Sequence, residues 1–592
     1  MKKATWLAPY QFAPEIHERE LRAIIQEIED CPDVDQGRLN RIVGKYPKGG
    51  KEFFSKSEII QGYRHLAERE GWSGDADRFI EKLKMKPVRT LSGVTPVTVL
   101  TKPFPCPGQC IFCPNDVRMP KSYLSLEPGA QRAAQHAFDP YEQTYSRLRA
   151  LRRMGHRLEK IELIILGGTW SFYPEGYQRW FVRRCFEAMN DFGQGESSNG
   201  SVRHRVDYEE LREQVDGRFE SNPYNDIVSG FLRSKENGEL VHESELCTIE
   251  ALEEAQRVNE TARHRCIGLS VETRPDYVSE EEVERIRRLG ATKVQIGIQS
   301  LSDDVLSLNK RGHDVATTRR AVRMLREAGF KIQAHWMPNL YGSSPERDVE
   351  DFDRLFSDPD FRPDELKIYP CSLIESAELM VPYEAGKWKP YTYDELLYVL
   401  VECLRRVPSY CRVSRVIRDI PGDDILDGNK TSNFRSIAEA ELAARGLTCR
   451  DIRSREIRGE RVQAEKLRLD EVRYESSIGE EVFLQYIDDD RRIAGFLRLA
   501  LPTRESFIDE IRGSAMIREI HVYGATARLG EKDELKTQHL GLGRNLIRRA
   551  EELAREAGFA SLAVISSVGT REYYRRLGFH DRSLYQHKIL VS

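Results

Sequence analysis

The sequence of 592 residues lacks any apolar run approaching the ~18–20 residues that a bilayer-spanning helix needs, and its mean hydropathy is -0.56. Its start lacks a secretion signal as well, because Met1-Lys2-Lys3-Ala4-Thr5-Trp6 reaches polar residues too soon. Charge of one sign is missing too. Lys and Arg number 91 against 95 Asp and Glu, a formal net charge of -4. That balance excludes a globally basic nucleic-acid binder and leaves any such role to local patches. There is no even cysteine framework: 11 cysteines are spread along the chain, the pattern of reduced thiols or metal ligands rather than disulfides. No solenoid-type repeat is present. The expectation is a cytoplasmic, multidomain globular protein without a membrane partner. At ~150 residues per domain it has room for roughly four domains, fewer if one is an α/β barrel.

What is present falls into four stretches. Residues 1–90 read as mostly helical, with a basic run (Arg38, Arg41, Lys45, Lys48, Lys51, Lys56) around the turn Pro47-Lys48-Gly49-Gly50. Over 91–385 strand-length apolar runs alternate with helical segments: Ile161–Leu166, Cys266–Val271, Val294–Ile298, Ile332–Met337 and Leu366–Tyr369. Alternation of this kind indicates βα units around a parallel sheet, a full or partial barrel with its chemistry at the C-terminal strand ends. Ser279 followed by Glu282 reads as a capping box, with Gly290 closing that helix; Asp314 and Gly329 bracket the next. Residues 193–245 are polar and read as a surface insertion, 386–455 as a connector, and 456–592 as a separate α/β module.

Three cysteines stand close together in Cys106-Pro-Gly-Gln-Cys110-Ile-Phe-Cys113. Three thiolates from one loop can each bind a different iron of a [4Fe–4S] cube. The missing fourth ligand leaves one iron open, with the amino and carboxylate groups of S-adenosylmethionine as candidate occupants. A zinc site and unligated buried thiols are the alternatives. A second zinc candidate is Cys371, Cys411 and Cys449, for which buried free thiols are the simpler reading. The C-x3-C-x2-C spacing resembles the radical SAM superfamily. That resemblance implies cofactor contacts from Gly167 and Gly168 after the first strand run, from Glu272, and from Gln299 at later strand ends.

In the last stretch, Gln538-His539-Leu540-Gly541-Leu542-Gly543 leads into a helix with the apolar stripe Leu546, Ile547, Ala550, Leu553, Ala554 and Ala557. A glycine-containing loop at a helix start presents free N–H groups suited to a pyrophosphate. With the strand Met516–Tyr523 before it and Tyr573-Tyr574 ahead of Leu577-Gly578-Phe579 behind it, the order resembles the GNAT acetyltransferases, which implies acetyl-CoA. Of the adjacent tyrosines, one is expected to pack and the other to reach the cofactor. Glu519 is a candidate base for ordinary acetyl transfer, with a solvated or paired strand carboxylate as the plainer reading.

A radical SAM barrel followed by a GNAT module is similar to the catalytic subunit of Elongator, the wobble-uridine carboxymethyl synthase family, in its prokaryotic form. The matching stretches include Glu272-Thr273-Arg274-Pro275-Asp276-Tyr277, Asn309-Lys310-Arg311-Gly312-His313 and Glu519-Ile520-His521-Val522-Tyr523-Gly524. The fold expected is therefore α/β multidomain: a radical SAM partial (β/α) barrel plus a GNAT module, with a helical N-terminal region. The resemblance implies a cluster on Cys106, Cys110 and Cys113. It implies acetyl-CoA contacts from Lys160, Glu519, Ile520, His521, Val522, Gln538, Gly541, Leu542, Gly543, Arg544 and Tyr574, with Lys160, Glu519 and Tyr574 nearest the chemistry. Without it, Lys160 would pass for a surface lysine. It implies tRNA as substrate, either without other Elongator subunits or as a homo-oligomer, and a 5′-deoxyadenosyl radical that activates the acetyl methyl group for addition to uracil carbon 5. That chemistry needs the mouths of the two modules to meet. Candidate RNA contacts are the N-terminal basic run, Arg152, Arg153 and Arg157, and Arg450, Arg453, Arg455 and Arg458. The competing classes are a protein lysine acetyltransferase with a structural cluster and a non-catalytic tRNA-binding scaffold.

Overall fold

The computed structural model describes residues 12–590 apart from 32, 50–51, 73–75, 86–89, 91, 195–205, 207, 209, 211–223, 458–463 and 524–540. The chain divides into two compact units, one of residues 1–95 with 146–158 and one of 96–145 with 159–592. Among the described residues no helix is long and apolar enough to cross a membrane.

The first unit is helical, as its periodicity predicts. Helices Glu18–Glu29, Gln36–Lys45, Lys56–Glu70 and Ala76–Leu83 bury Leu21, Ile24, Ile28, Ile59, Ile60, Leu66 and Leu83 in a common core. Ser55 and Glu58 form a capping box that starts the third helix, and Gly71 ends it in a left-handed turn at φ +64°.

In the second unit, seven strands lie side by side in sequence order: β1 (Thr95–Leu100), β2 (Lys160–Leu166), β3 (Arg265–Thr273), β4 (Lys293–Gln299), β5 (Lys331–Trp336), β6 (Glu365–Ile368) and β7 (Arg412–Val416). From β2 to β7 every pairing is parallel. Each strand alternates. Val294, Ile296 and Ile298 of β4 and Ile332, Ala334 and Trp336 of β5 are buried apolar residues, while the residues between them are polar except for Gly297. Those polar side chains reach over an intervening strand, as Lys293 of β4 does to Glu162 of β2 and to Glu365 of β6, and so share one concave face. The helices begin and end where expected: Ser279 accepts from the Glu282 amide, Asp314 from that of Thr317, and Gly290 and Gly329 stand at φ +93° and +78°.

Two organisational expectations are corrected. Residues 386–455 are no mere connector, because they supply helix Tyr393–Arg406 and β7, the last strand of the barrel sheet. The 193–245 segment is not merely superficial either. Its helix Tyr224–Lys235 buries Tyr224, Val228, Phe231 and Leu232, and Tyr208 packs against Phe138 and Phe231. Its polar composition concealed these few anchors.

The remaining strands form a second sheet in the order β13-β14-β12-β11-β10-β9-β8. They are β8 (Arg468–Ser476), β9 (Gly479–Ile487), β10 (Ile493–Pro502), β11 (Ala515–Val522), β12 (Ser561–Val564), β13 (His580–Asp581) and β14 (Gln586–Ile589). β11 pairs with β12 in parallel over Ala515–Ile517 only; its second half runs on alone beside β10. A bulge leaves Arg518 without a partner in β10, since Ile517 faces Leu499 and Glu519 faces Arg498. Helix Leu542–Glu556 lays the predicted stripe Leu546, Ile547, Ala550, Leu553 and Ala554 on this sheet.

Candidate functional site

The cluster loop follows β1 and lies at the C-terminal end of the barrel strands. Its residues are positioned from several directions. The Ile111 amide donates to the Asn309 carbonyl (3.3 Å), and the Ile111 carbonyl accepts from Leu379 (2.8 Å). Arg311 Nη1 donates to Cys110 Sγ at 3.0 Å and Arg274 Nη1 to the same sulfur at 3.6 Å. A hydrogen bond from Cys113, together with these two guanidiniums, holds the Cys110 thiol well below its ordinary range despite burial. A Cβ at Gly108 would stand 2.1 Å from Arg274 Nη1, so a larger residue there would push this guanidinium away from the sulfur. Sequence reading missed Arg274 and Arg311 as partners of the thiols; Arg274 directly after β3 was a local signal, whereas Arg311 stands twelve residues past β4 and had none.

The other predicted contacts of that end are gathered on it. Gly167 follows β2 at φ +146°, where a Cβ would fall 1.9 Å from Thr101 Oγ1, so backbone approach at this point excludes any side chain. Gly168 lies beside Tyr173. Glu272 ends β3 with burial pushing its carboxyl up, and its Oε1 lies 3.5 Å from His335 Nδ1. Gln299 ends β4 in a left-handed conformation (φ +69°), and its buried Oε1 has no hydrogen-bond partner. The donor set fits a multi-iron cluster with an amino-acid-bearing cofactor: soft thiolates, two cations next to one sulfur, exposed glycine backbone and an unpaired amide oxygen. Among the described residues no three His, Cys, Asp or Glu side chains gather as around one metal ion. Cys371 sits among apolar residues, Cys411 is buried directly before β7, and the Cys449 thiol donates to Asp451 Oδ1 at 3.1 Å.

The acetyl-CoA candidates collect at the other end of the same strands. Lys160 opens β2, half-buried, its ammonium pulled down by burial and by Arg265. Opposite it, His521 of β11 is held neutral, its pKa lowered to about 4 by burial, and its Nε2 has no hydrogen-bond partner. Ile520 and Val522 line the unpaired half of β11 and face Gly543, whose missing Cβ would lie 3.8 and 3.7 Å from them. Gly541 caps the helix in a left-handed turn at φ +69°, a conformation glycine adopts without strain; Leu542 is buried and Arg544 exposed. Gln538 lies outside the described residues. Of the two tyrosines, Tyr574 packs in the core against Phe579, its phenol pushed up by burial, then by Tyr573 and Glu519. Tyr573 is 41% exposed and sets its hydroxyl beside Gly543. The pair thus divides into one packed and one open phenol, but the packed one is Tyr574, which the resemblance had assigned to acetyl-CoA, and the phenol at the helix start is Tyr573.

Glu519 is the paired strand carboxylate. Its Oε1 accepts from Lys331 of β5 (2.5 Å) and its Oε2 from Arg498 (2.8 Å). Burial pushes its carboxyl up, but Lys331 and Arg498 outweigh burial and keep it ionised below the ordinary range. Engaged on both oxygens, it suits positioning better than proton abstraction. It also belongs to a buried ionic seam between the barrel and the second sheet. Arg518 Nη1 reaches Asp364 and Glu481 (3.0 Å each), and Lys331 also pairs with Glu365 (2.7 Å). Gly569 lets this sheet come close to β3, where a Cβ would stand 2.6 Å from that of Arg265. All these barrel residues stand at or next to the N-terminal strand ends. The thiol loop thus lies at the C-terminal strand ends, and Lys160 with the partners of Glu519 at the N-terminal ones, a strand of seven residues, about 20 Å, apart. Between them runs a polar axis in which Gln333 donates to Glu365 (2.6 Å) and Ser414 (2.9 Å), and Gln295 to Ser270 (2.9 Å).

Of the basic candidates, several are already engaged. Lys45 pairs with Glu27 and Lys48 with Glu58. Arg453 donates to the Ser414 carbonyl and Arg455 to those of Arg450 and Ser409. Arg38, Arg41, Arg152 and Arg450 are exposed, and Lys51 and Arg458 lie outside the described residues.

Comparison with known proteins agrees with this division. The Radical SAM superfamily matches residues 105–355 and the Radical_SAM C-terminal domain residues 363–444, which include β6 and β7. The chain is 36% identical to the tRNA uridine(34) acetyltransferase of Methanocaldococcus infernus, over 96% of this chain and 98% of that protein. It is 34% identical to the Elongator complex protein 3 of Homo sapiens, over 86% of each chain. The solved structure of archaeal Methanocaldococcus infernus Elp3 with its N-terminus (1–46) deleted superposes with a TM-score of 0.64 at 34% identity, covering 84% of this chain and 99% of that one.

Proposed function

Since the chain belongs to the family of the tRNA uridine(34) acetyltransferases and Elongator complex protein 3, we propose that it is a radical SAM acyltransferase that places a carboxymethyl group on carbon 5 of the tRNA wobble uridine. The observation that carries this reading is the placement of a thiol loop and a glycine-started helix at the two ends of one barrel within one compact unit. Cys106, Cys110 and Cys113 would hold a [4Fe–4S] cluster, and Gly167, Gly168, Glu272 and Gln299 S-adenosylmethionine. Together these groups supply, when bound, a radical able to activate an unreactive methyl C–H bond. The chain's own part is to hold and orient. Arg274 and Arg311 keep Cys110 in its thiolate form. Gly541, Leu542, Gly543 and Arg544 offer helix-start amides to the pyrophosphate of acetyl-CoA, with Gln538 in the preceding loop. Lys160, Ile520, His521 and Val522 would line the acyl arm with the Tyr573 hydroxyl at the helix start, and Glu519 fixes β11 against the barrel. The wobble base must leave its stack to be reached.

A protein lysine acetyltransferase would need a free base at the mouth, and both oxygens of Glu519 are occupied. The deciding experiment incubates anaerobically reconstituted protein with tRNA, acetyl-CoA, S-adenosylmethionine and reductant, then digests the RNA for nucleoside mass spectrometry. Carboxymethyluridine is expected, and Cys110→Ala should abolish it. Absence of the product together with acetylation of added peptides would overturn the reading in favour of the lysine acetyltransferase.

A further inference from the structure

The first cysteine of the trio is held differently from the other two. Cys110 and Cys113 belong to a turn closed by the Cys113 amide on the Cys110 carbonyl (3.2 Å), and Ile111 within it is tied to the barrel through Asn309 and Leu379. Cys106 stands outside that turn, between Pro105 and Pro107. Neither proline has an N–H, so the Cys106 amide is the one main-chain donor of the Pro-Cys-Pro step. It donates to Asn225 Oδ1 at 2.8 Å, and Asn225 Nδ2 donates back to the Cys106 carbonyl at 2.8 Å. One side-chain amide thus grips both main-chain groups of the cysteine, as a neighbouring strand would.

Asn225 comes from the segment read in the sequence as a surface insertion, and it is the second residue of helix Tyr224–Lys235. Neighbouring contacts keep it in place. The Tyr224 hydroxyl donates to the Met119 carbonyl (2.7 Å) beyond the cysteines, and the Lys121 ammonium lies 4.7 Å over the Tyr224 ring. At the other end of the segment Glu245 pairs with Lys102, just before the cysteines. The segment therefore touches the cluster loop before, at and after the trio, while its helix is anchored through Val228 and Leu232 in the interior.

We propose that Asn225 is a positioning residue for the iron–sulfur site, fixing the backbone of Cys106 so that its thiolate stands ready for one iron. Residues 224–245 then serve as a clamp that secures the cluster rather than as decoration. The proposal rests on the reading of Cys106, Cys110 and Cys113 as cluster ligands. Full-length wild type, Asn225→Ala and Asn225→Asp are reconstituted anaerobically with iron and sulfide. Iron per chain, the electron paramagnetic resonance signal of the reduced cluster and the rate of iron release to a chelator are then measured. Loss of two hydrogen bonds should speed iron release from Asn225→Ala about tenfold and split or broaden the resonance. The acetyl-CoA affinity of the chain should not move. Asn225→Asp keeps an acceptor for the Cys106 amide and loses the donor, so it should fall between; being isosteric, it decides the matter if the alanine variant does not fold. Release at the wild-type rate with an unchanged resonance overturns the role of Asn225. A wild-type chain that takes up no iron or sulfide overturns instead the reading of the cysteines.

Discussion

Gly167 concentrates in one position two demands that no other residue type meets: φ of +146° and a site where a Cβ would stand 1.9 Å from Thr101 Oγ1. Gly167→Ala should cost about 1–3 kcal/mol in thermal or urea unfolding and abolish S-adenosylmethionine binding by calorimetry. Adding Thr101→Ala removes the overlap but not the unfavourable φ, so only part of the stability should return. Lys160 makes the opposite kind of prediction. Lying half-buried at the second mouth, Lys160→Met should raise the acetyl-CoA dissociation constant about tenfold and leave the melting temperature nearly unchanged. Residues like these differed in how far the sequence disclosed them. Three cysteines in eight positions announce their chemistry locally, and so does a glycine pair after a strand. Lys160 has no local signal, because its neighbours come from β11, some 360 positions away; only the family resemblance identified it. Arg274 and Arg311 were quoted within motifs, yet their common target, one sulfur atom, is visible only in three dimensions.

Helix Leu542–Glu556 shows how an element carries a site. Its apolar stripe fixes its rotation on the sheet, and that rotation brings Gly543 against Ile520, Val522 and the Tyr573 hydroxyl. A methyl group at 543 would stand 2.8 Å from that hydroxyl. Gly543→Ala should therefore weaken acetyl-CoA binding severalfold, and Tyr573→Phe in the same chain should recover much of the loss in a fluorescence or calorimetric titration. The helix was legible in advance since a 3.6-residue period over several turns survives any context. The barrel strands were legible by their apolar halves alone: the polar halves look like loop composition until they are seen to share one concave face. β7 was missed for that reason, its Arg412, Ser414 and Arg415 masking Val413 and Val416. The clamp segment was missed because four buried side chains in a polar stretch leave no periodic trace.

For the whole molecule, the decisive feature is the seam of buried charge joining the barrel to the second sheet. Asp364 is fully buried between Arg518 and Arg498, and Glu481 between Arg518 and Arg326. Arg518→Met would leave two buried carboxylates short of a partner and should destabilise the chain by about 3–5 kcal/mol, read as a lower urea midpoint. The seam also sets the response to acid. Burial alone would raise the carboxyls of Asp364, Glu365 and Glu519, but the surrounding lysines and arginines prevail and hold all three below the ordinary range. Groups of that kind stabilise fully above about pH 4 and lose their contribution as the pH falls through the lowered folded-state values. Stability should be level from neutral pH down to that point and fall below it, with a smaller fall in Arg518→Met, whose folded-state carboxyl values lie closer to the unfolded ones. Descent and transplantation are constrained by the same seam. A barrel supplying Asp364 needs two guanidiniums from its companion sheet, Arg498 from β10 and Arg518 from the bulge in β11. A transferase module borrowed from another protein and spliced behind this barrel would trap an unanswered carboxylate unless both arginines travelled with it. The two halves are thus heritable only as a pair, and any attempt to exchange one must carry the other's counter-charges along.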